Sequence, residues 1–144
     1  LTYVKIRAII LLMFHEEEKL LKDAMKILIS DDSLLLRKKL RDELEKLGCQ
    51  VHEAKDGDEA VEVFKNEKPD GIFMDIVMPN KNGIDAVKCI KEIDKTAKII
   101  MLSSAGTSNK LMEALKLGAM DFIQKPYTGE QIAKALDTIR KEVM

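Results

Sequence analysis

Lys26-Ile-Leu-Ile-Ser30-Asp31-Asp32-Ser33 is the stretch on which the reading of this chain turns. Its aliphatic residues are consecutive rather than alternating, the pattern of a strand covered on both faces. Ser33 can then cap a helix on which Leu36, Leu40, Leu44 and Leu47 share one face and which Gly48 ends. The same strand-then-helix unit recurs. Strand candidates are Lys26–Ser30, Gln50–Ala54, Gly71–Met74, Lys98–Leu102 and Asp121–Gln124; the second and fifth are polar enough to be edges. Between them, Ala60, Val63 and Phe64 mark a second helix bounded by Pro69, and Ile84, Val87, Ile90 and Ile93 a third. Leu111, Ala114 and Leu115 mark a fourth that Gly118 closes. Ile132, Leu136 and Ile139 mark the last, opened by Thr128-Gly-Glu-Gln131 in the form of a capping box.

Repeated β–α units impose right-handed crossovers and a parallel sheet with helices on both faces. The pattern predicts an α/β fold, a doubly wound five-stranded parallel sheet of order 2-1-3-4-5. In such sheets function sits beyond the carboxyl ends of the strands, at the switch between strands 1 and 3. Asp31 and Asp32 follow the first strand, Asp75 the third, Ser103 and Ser104 the fourth, Lys125 and Pro126 the fifth. Two unit charges about 4 Å apart repel by about 4 kcal/mol at an effective dielectric near 20. Lys125 offsets part of that repulsion, and a divalent cation offsets more. Oxygen-only ligands point to Mg²⁺. The set also describes an aspartate that accepts a phosphoryl group in line, with cation and lysine neutralising the equatorial oxygens. Singly, Asp-Asp-Ser is more often an N-cap, a lone Asp a turn residue and Lys-Pro a loop. Four such pieces on four strand ends favour the functional reading.

Composition narrows the field. The 144 residues carry 25 acidic and 24 basic side chains, a formal charge of −1, which excludes the electrostatic footprint of a non-specific nucleic-acid binder. Cys49 and Cys89 read as reduced thiols, and His15 and His52 lack the neighbours a zinc site needs. The first residues differ: Lys5 and Arg7 precede Ala8-Ile-Ile-Leu-Leu-Met-Phe14, too short to span a bilayer. His15-Glu-Glu-Glu18 stands where a signal peptide carries small residues. The expected division is an extension at residues 1–24 and a domain at 25–144, cytoplasmic, with no output domain after the last helix. A helical extension would need cover, by dimerisation or attachment to a membrane surface.

Residues 25–144 resemble a response-regulator receiver domain, the CheY-like family of two-component signalling, whose fold is flavodoxin-like. The resemblance is carried by Ile27-Leu-Ile-Ser-Asp31-Asp32-Ser33, Phe73-Met-Asp75-Ile-Val-Met-Pro79, Ile100-Met-Leu-Ser103 and Phe122-Ile-Gln-Lys125-Pro126. It implies that Asp75 takes a phosphoryl group from a histidine kinase and that Asp31, Asp32, Asp75 and the backbone carbonyl of Val77 hold Mg²⁺. It further implies that Ser103 hydrogen-bonds the phosphoryl group, that Lys125 pairs with it, and that the Lys125–Pro126 bond is cis. Phe122 would be the aromatic switch, turning inward as Ser103 moves. Asn80-Lys-Asn-Gly83 replaces the commoner acidic turn, and Asn82 can still cap the next helix. Val77 and Ala105 stand two residues after the acceptor and the serine, where the family's side chains influence attack by water. Neither can hold a water, so a long-lived phosphoryl group that needs a phosphatase or onward transfer is expected.

The expected output face is the fourth helix of the repeat, the fifth strand and the last helix, with Lys110, Met112, Phe122, Tyr127 and Gln131; ordinary packing explains Met112 and Tyr127 equally well. Met74–Pro79, Asn82–Ala86 and Gly118–Ile123 are similar to the chemotaxis subgroup, implying the flagellar switch as partner. A phosphorelay shuttle passing phosphate to a histidine phosphotransfer protein is the alternative. An FMN site would want phosphate-cradling donors after strand 1 and aromatic stacking, but the chain has two acids there and no Trp. An aspartate-based phosphatase would want an acid at Val77. A receiver that signals without phosphorylation would not need the full set of site residues.

Overall fold

The computed structural model describes residues 2–143, the side chains of residues 20–23, 142 and 143 excepted. The elements run α1 (Tyr3–Asp23), β1 (Lys26–Ser30), α2 (Leu34–Lys46), β2 (Gln50–Ala54), α3 (Gly57–Glu67), β3 (Gly71–Asp75), α4 (Gly83–Ile93), β4 (Ile99–Ser103), α5 (Ser108–Lys116), β5 (Asp121–Gln124) and α6 (Gly129–Val143). All strands are parallel, in the order β2-β1-β3-β4-β5. The doubly wound sheet inferred from the sequence is the observed one.

Consecutive apolar residues in the central strands feed two separate core layers, because successive side chains point to opposite faces. Leu28, Ile72, Met74, Ile99 and Met101 pack with residues of α3, α4 and α5. Ile27, Ile29, Phe73, Ile100 and Leu102 pack on the other face with Leu40 and Leu44 of α2 and Ile132, Leu136 and Ile139 of α6. Leu47 and Ile93 were expected on buried helix faces but are exposed. Each falls at the end of its helix, beyond the last turn that packs on the sheet.

Helix starts follow local chemistry. Ser33, Asp56 and Asn82 cap α2, α3 and α4 by accepting the backbone N–H groups of Leu36, Glu59 and Asp85. Thr128 and Gln131 exchange hydrogen bonds at the head of α6: Thr128 N–H donates to Gln131 Oε1 (2.8 Å) and Gln131 N–H to Thr128 Oγ1 (3.2 Å). β3 and β4 each end one residue later than side-chain polarity suggested. Asp75 is in register with Leu102, and Ser103 with Gln124, so the backbone ladder continues where the side chains turn polar. Gly83 then lets α4 start flush against β3: its N–H donates to Ile76 O (2.9 Å), and a Cβ there would strike the Asp75 carbonyl.

Candidate functional site at the strand ends

Asp31 leaves β1 with its N–H donating to Ala54 O of β2 (3.1 Å). Its Oδ1 accepts the N–H of Ser33 (2.9 Å), which fixes the carboxylate at the head of α2. Asp75 reaches the same rim from β3, and Lys125 arrives from the end of β5. Lys125 Nζ donates to Asp31 Oδ2 (2.9 Å) and to Asp75 Oδ2 (3.1 Å), so one ammonium bridges two carboxylates. Asp31 and Asp75 are buried, and Asp32 beside them is exposed. Carboxylate oxygens of Asp31, Asp32 and Asp75 lie within 4.8 Å of one another.

This crowding shows in the titration of Asp75. Burial, then the charge of Asp31, pushes its carboxyl up to about 6, although Lys125 pulls the other way. Burial works against the Lys125 ammonium, but its hydrogen bonds and charge pairs with Asp31 and Asp75 win and hold it above the ordinary lysine value. The donor set suits a hard divalent cation. Among the described hydrogen bonds none reaches Asp75 Oδ1 or the Asp32 carboxylate, and the Lys125 ammonium already bridges Asp31 Oδ2 and Asp75 Oδ2.

Around this centre Ser103 is buried, with its Oγ 3.5 Å from Ile123 O, a contact too long to hold it firmly. Lys125 N–H donates to Ser103 O (2.7 Å), tying the ends of β4 and β5 together. The Lys125–Pro126 peptide is cis. Phe122 is 44% exposed on β5, and Val77 and Ala105 are both exposed on loops beside the rim. Lys110, Met112 and Gln131 are exposed, whereas Tyr127 is half-buried against the α2–α6 core layer.

Three groups that the strand-end reading passed over also shape the site. Asp56, just beyond β2, is buried and accepts Glu59 N–H (2.8 Å) and Asn80 Nδ2 (2.8 Å), which hold its carboxyl below the usual range. With Gly57 N–H donating to Lys81 O (2.8 Å), it ties the β2–α3 turn to the loop after Asp75. Thr107 is buried and donates to Ser104 O (2.6 Å), fixing the loop after Ser103. Arg37 Nη1 donates to Asp31 O (2.7 Å) while its Nε pairs with Glu53 (3.2 Å). Asp56 was legible by the same rule that picked out Asp31 and Asp75, since it too follows a strand. Thr107 and Arg37 carried no comparable signal.

Residues 27–137 match the family described as the response regulator receiver domain. Among curated relatives, the chemotaxis protein CheY of Thermotoga maritima is 46% identical over 117 residues, 81% of this chain and 98% of that protein. CheY of Bacillus subtilis is 43% identical over 115 residues, 79% of this chain and 96% of that protein. Of solved structures, a chain of the CheX–CheY–BeF3–Mg²⁺ complex from Borrelia burgdorferi superposes with a TM-score of 0.75 at 33% identity, covering 81% of this chain and 89% of that one. A continuous β–α repeat, an acidic rim bridged by one lysine and relatives aligned along nearly their whole length lead to one conclusion: the chain belongs to the CheY-like response-regulator receiver family and is a phospho-accepting signalling switch.

Proposed function

We propose that Asp75 accepts a phosphoryl group from the phosphohistidine of a sensor kinase and that the modified domain signals in a chemotaxis-type pathway in the cytoplasm. The observation that carries this reading is the Lys125 bridge between Asp31 and Asp75 in a pocket where carboxylates outnumber ammonium groups. Asp31, Asp32, Asp75 and the Val77 carbonyl would hold Mg²⁺, which supplies neutralisation of the phosphoryl oxygens when bound. A carboxylate oxygen of Asp75 attacks phosphorus; the P–O bond forms as the P–N bond to the donor imidazole breaks. Lys125 exchanges its contact with Asp75 for one with the new phosphoryl group, and Ser103, loosely held at rest, donates to another of its oxygens. Removal of Ser103 from its resting place frees the space into which Phe122 turns.

The test is incorporation of phosphoryl from radiolabelled acetyl phosphate. Mg²⁺-dependent labelling of the full chain, abolished in Asp75→Asn, is expected; labelling that persists in that variant would sink the assignment. Output is proposed through α5, β5 and α6, where Lys110, Met112, Phe122 and Gln131 are exposed. The phosphorelay reading is supported by a different observation: Leu34 and Leu35, 70% and 63% exposed, open α2 right beside the acids. Two measurements discriminate these readings. Calorimetric binding of a flagellar-switch peptide to the beryllofluoride-loaded chain favours chemotaxis, and phosphoryl loss from the radiolabelled chain to a histidine phosphotransfer domain favours the relay.

A further inference from the structure

Helix α1 lies outside the matched family region, and its side chains from Tyr3 to Lys19 are exposed, including Ile6, Ile9, Ile10, Leu11, Leu12, Met13 and Phe14. Its polarity is divided along its length rather than between faces. Lys5 and Arg7 stand in the first two turns, the apolar run Ala8–Phe14 follows, Glu16, Glu17 and Glu18 come next, and Lys19-Leu-Leu-Lys-Asp23 completes the helix. An interfacial membrane helix separates apolar and basic faces around its circumference, which α1 does not do. Lys5 and Arg7 are also at the wrong end for the helix dipole, and no acid stands in the first turn to compensate.

The spacing shows what would satisfy these charges. Lys5, Ile9, Leu12 and Glu16 are separated by 4, 3 and 4 residues and form one seam; a shallow groove along it is lined by Ile9, Leu12, Met13, Glu16 and Glu17. Arg7, Leu11, Phe14 and Glu18 repeat the same spacing and order (basic, apolar, apolar, acidic) on the opposite face. Each seam is complementary to itself when reversed: Lys5 meets Glu16 and Ile9 meets Leu12, or Arg7 meets Glu18 and Leu11 meets Phe14. Parallel pairing would instead set base against base and acid against acid.

We propose that α1 is a self-association element whose partner is α1 of a second copy, running antiparallel about a two-fold axis. Because the axis makes the contact isologous, every charged pair occurs twice, and a single substitution acts at two places. The dimer is the smallest assembly, and the second seam lets further copies add in the same way.

Sedimentation of the full chain, unphosphorylated and free of lipid, tests this. A dimer or larger species is expected, and in a parent whose opposite seam is disabled by Arg7→Glu, Lys5→Glu and Glu16→Lys should each weaken the remaining association about tenfold or more. The combined variant should return to within about threefold of the parent, because the pair is restored with its signs exchanged. The Arg7→Glu and Glu18→Lys pair reads the opposite seam by the same logic. A full chain that stays monomeric at millimolar concentration overturns the proposal, and so does a combined variant weaker than either single one. Co-sedimentation of an otherwise monomeric chain with vesicles of equal parts phosphatidylcholine and phosphatidylglycerol would assign the helix to lipid, and likewise overturns it.

Discussion

At the residue scale, Asp75 is held in tension between a buried site and a bridging lysine. Its carboxyl titrates near 6 instead of the ordinary 3.8, so the folded state binds a proton more readily than the unfolded one between those values. Stability from this group is therefore present at low pH and is lost as pH rises from about 4 through about 6. Asp75→Asn should stabilise the metal-free protein by about 1–3 kcal/mol at neutral pH, and the advantage should vanish near pH 4. Denaturant unfolding of both proteins in EDTA across that range measures it, and an unchanged difference would show that the carboxyl does not carry the strain. Added Mg²⁺ should raise the midpoint of the parent by mass action and do so far less in the variant. The expected influence of Val77 on lifetime is testable: Val77→Asn introduces a side chain able to orient water, and one hydrogen bond of about 1 kcal/mol corresponds to roughly five- to tenfold faster phosphate release. Release from the purified phosphorylated protein reads this directly, and equal rates would remove Val77 from the account.

At the element scale, the loop between β3 and α4 is fixed from both ends. Asp56 and Gly57 grip Asn80 and Lys81, and Gly83 seats α4 against the carbonyl of Asp75. Gly83→Ala should cost about 1–3 kcal/mol of stability, because a backbone carbonyl cannot give way as a side chain can. It should also slow phosphorylation by acetyl phosphate, since the backbone of Asp75, the proposed acceptor, is displaced; an unaltered rate at reduced stability would confine the effect to packing. This loop shows where the sequence was readable and where it was not. Asn82 was expected to cap α4 from its residue type and position, and its Oδ1 accepts Asp85 N–H (2.9 Å). The grip of Asp56 on Asn80 joins residues 24 apart in sequence, and nothing in either neighbourhood announces it. Burial at helix ends was misread for the same reason, since Ile93 keeps the period of Ile90 but has no sheet left to pack on. Strand cores, caps and the acidic rim are local patterns repeated by the fold; cross-loop ties and helix overhangs depend on where the packed surface stops.

At the scale of the whole molecule, the two core layers on either face of the sheet involve residues from Met25 onward, while the side chains of α1 from Tyr3 to Lys19 contribute to neither. A chain lacking residues 1–24 is expected to fold and to be phosphorylated at Asp75 at the parent's rate; loss of the folding transition in that chain would move the domain boundary upstream. The Lys125 bridge has a last consequence, which concerns the order of synthesis. Its partners lie 94 and 50 residues earlier in the chain. During translation Asp31 and Asp75 emerge well before Lys125, the one ammonium bonded to them among the described residues, so a nascent sheet of β1 to β4 lacks that counter-charge. Until β5 leaves the ribosome, soluble cations must supply the missing counter-charge, and a product that stops short of Lys125 lacks it for good.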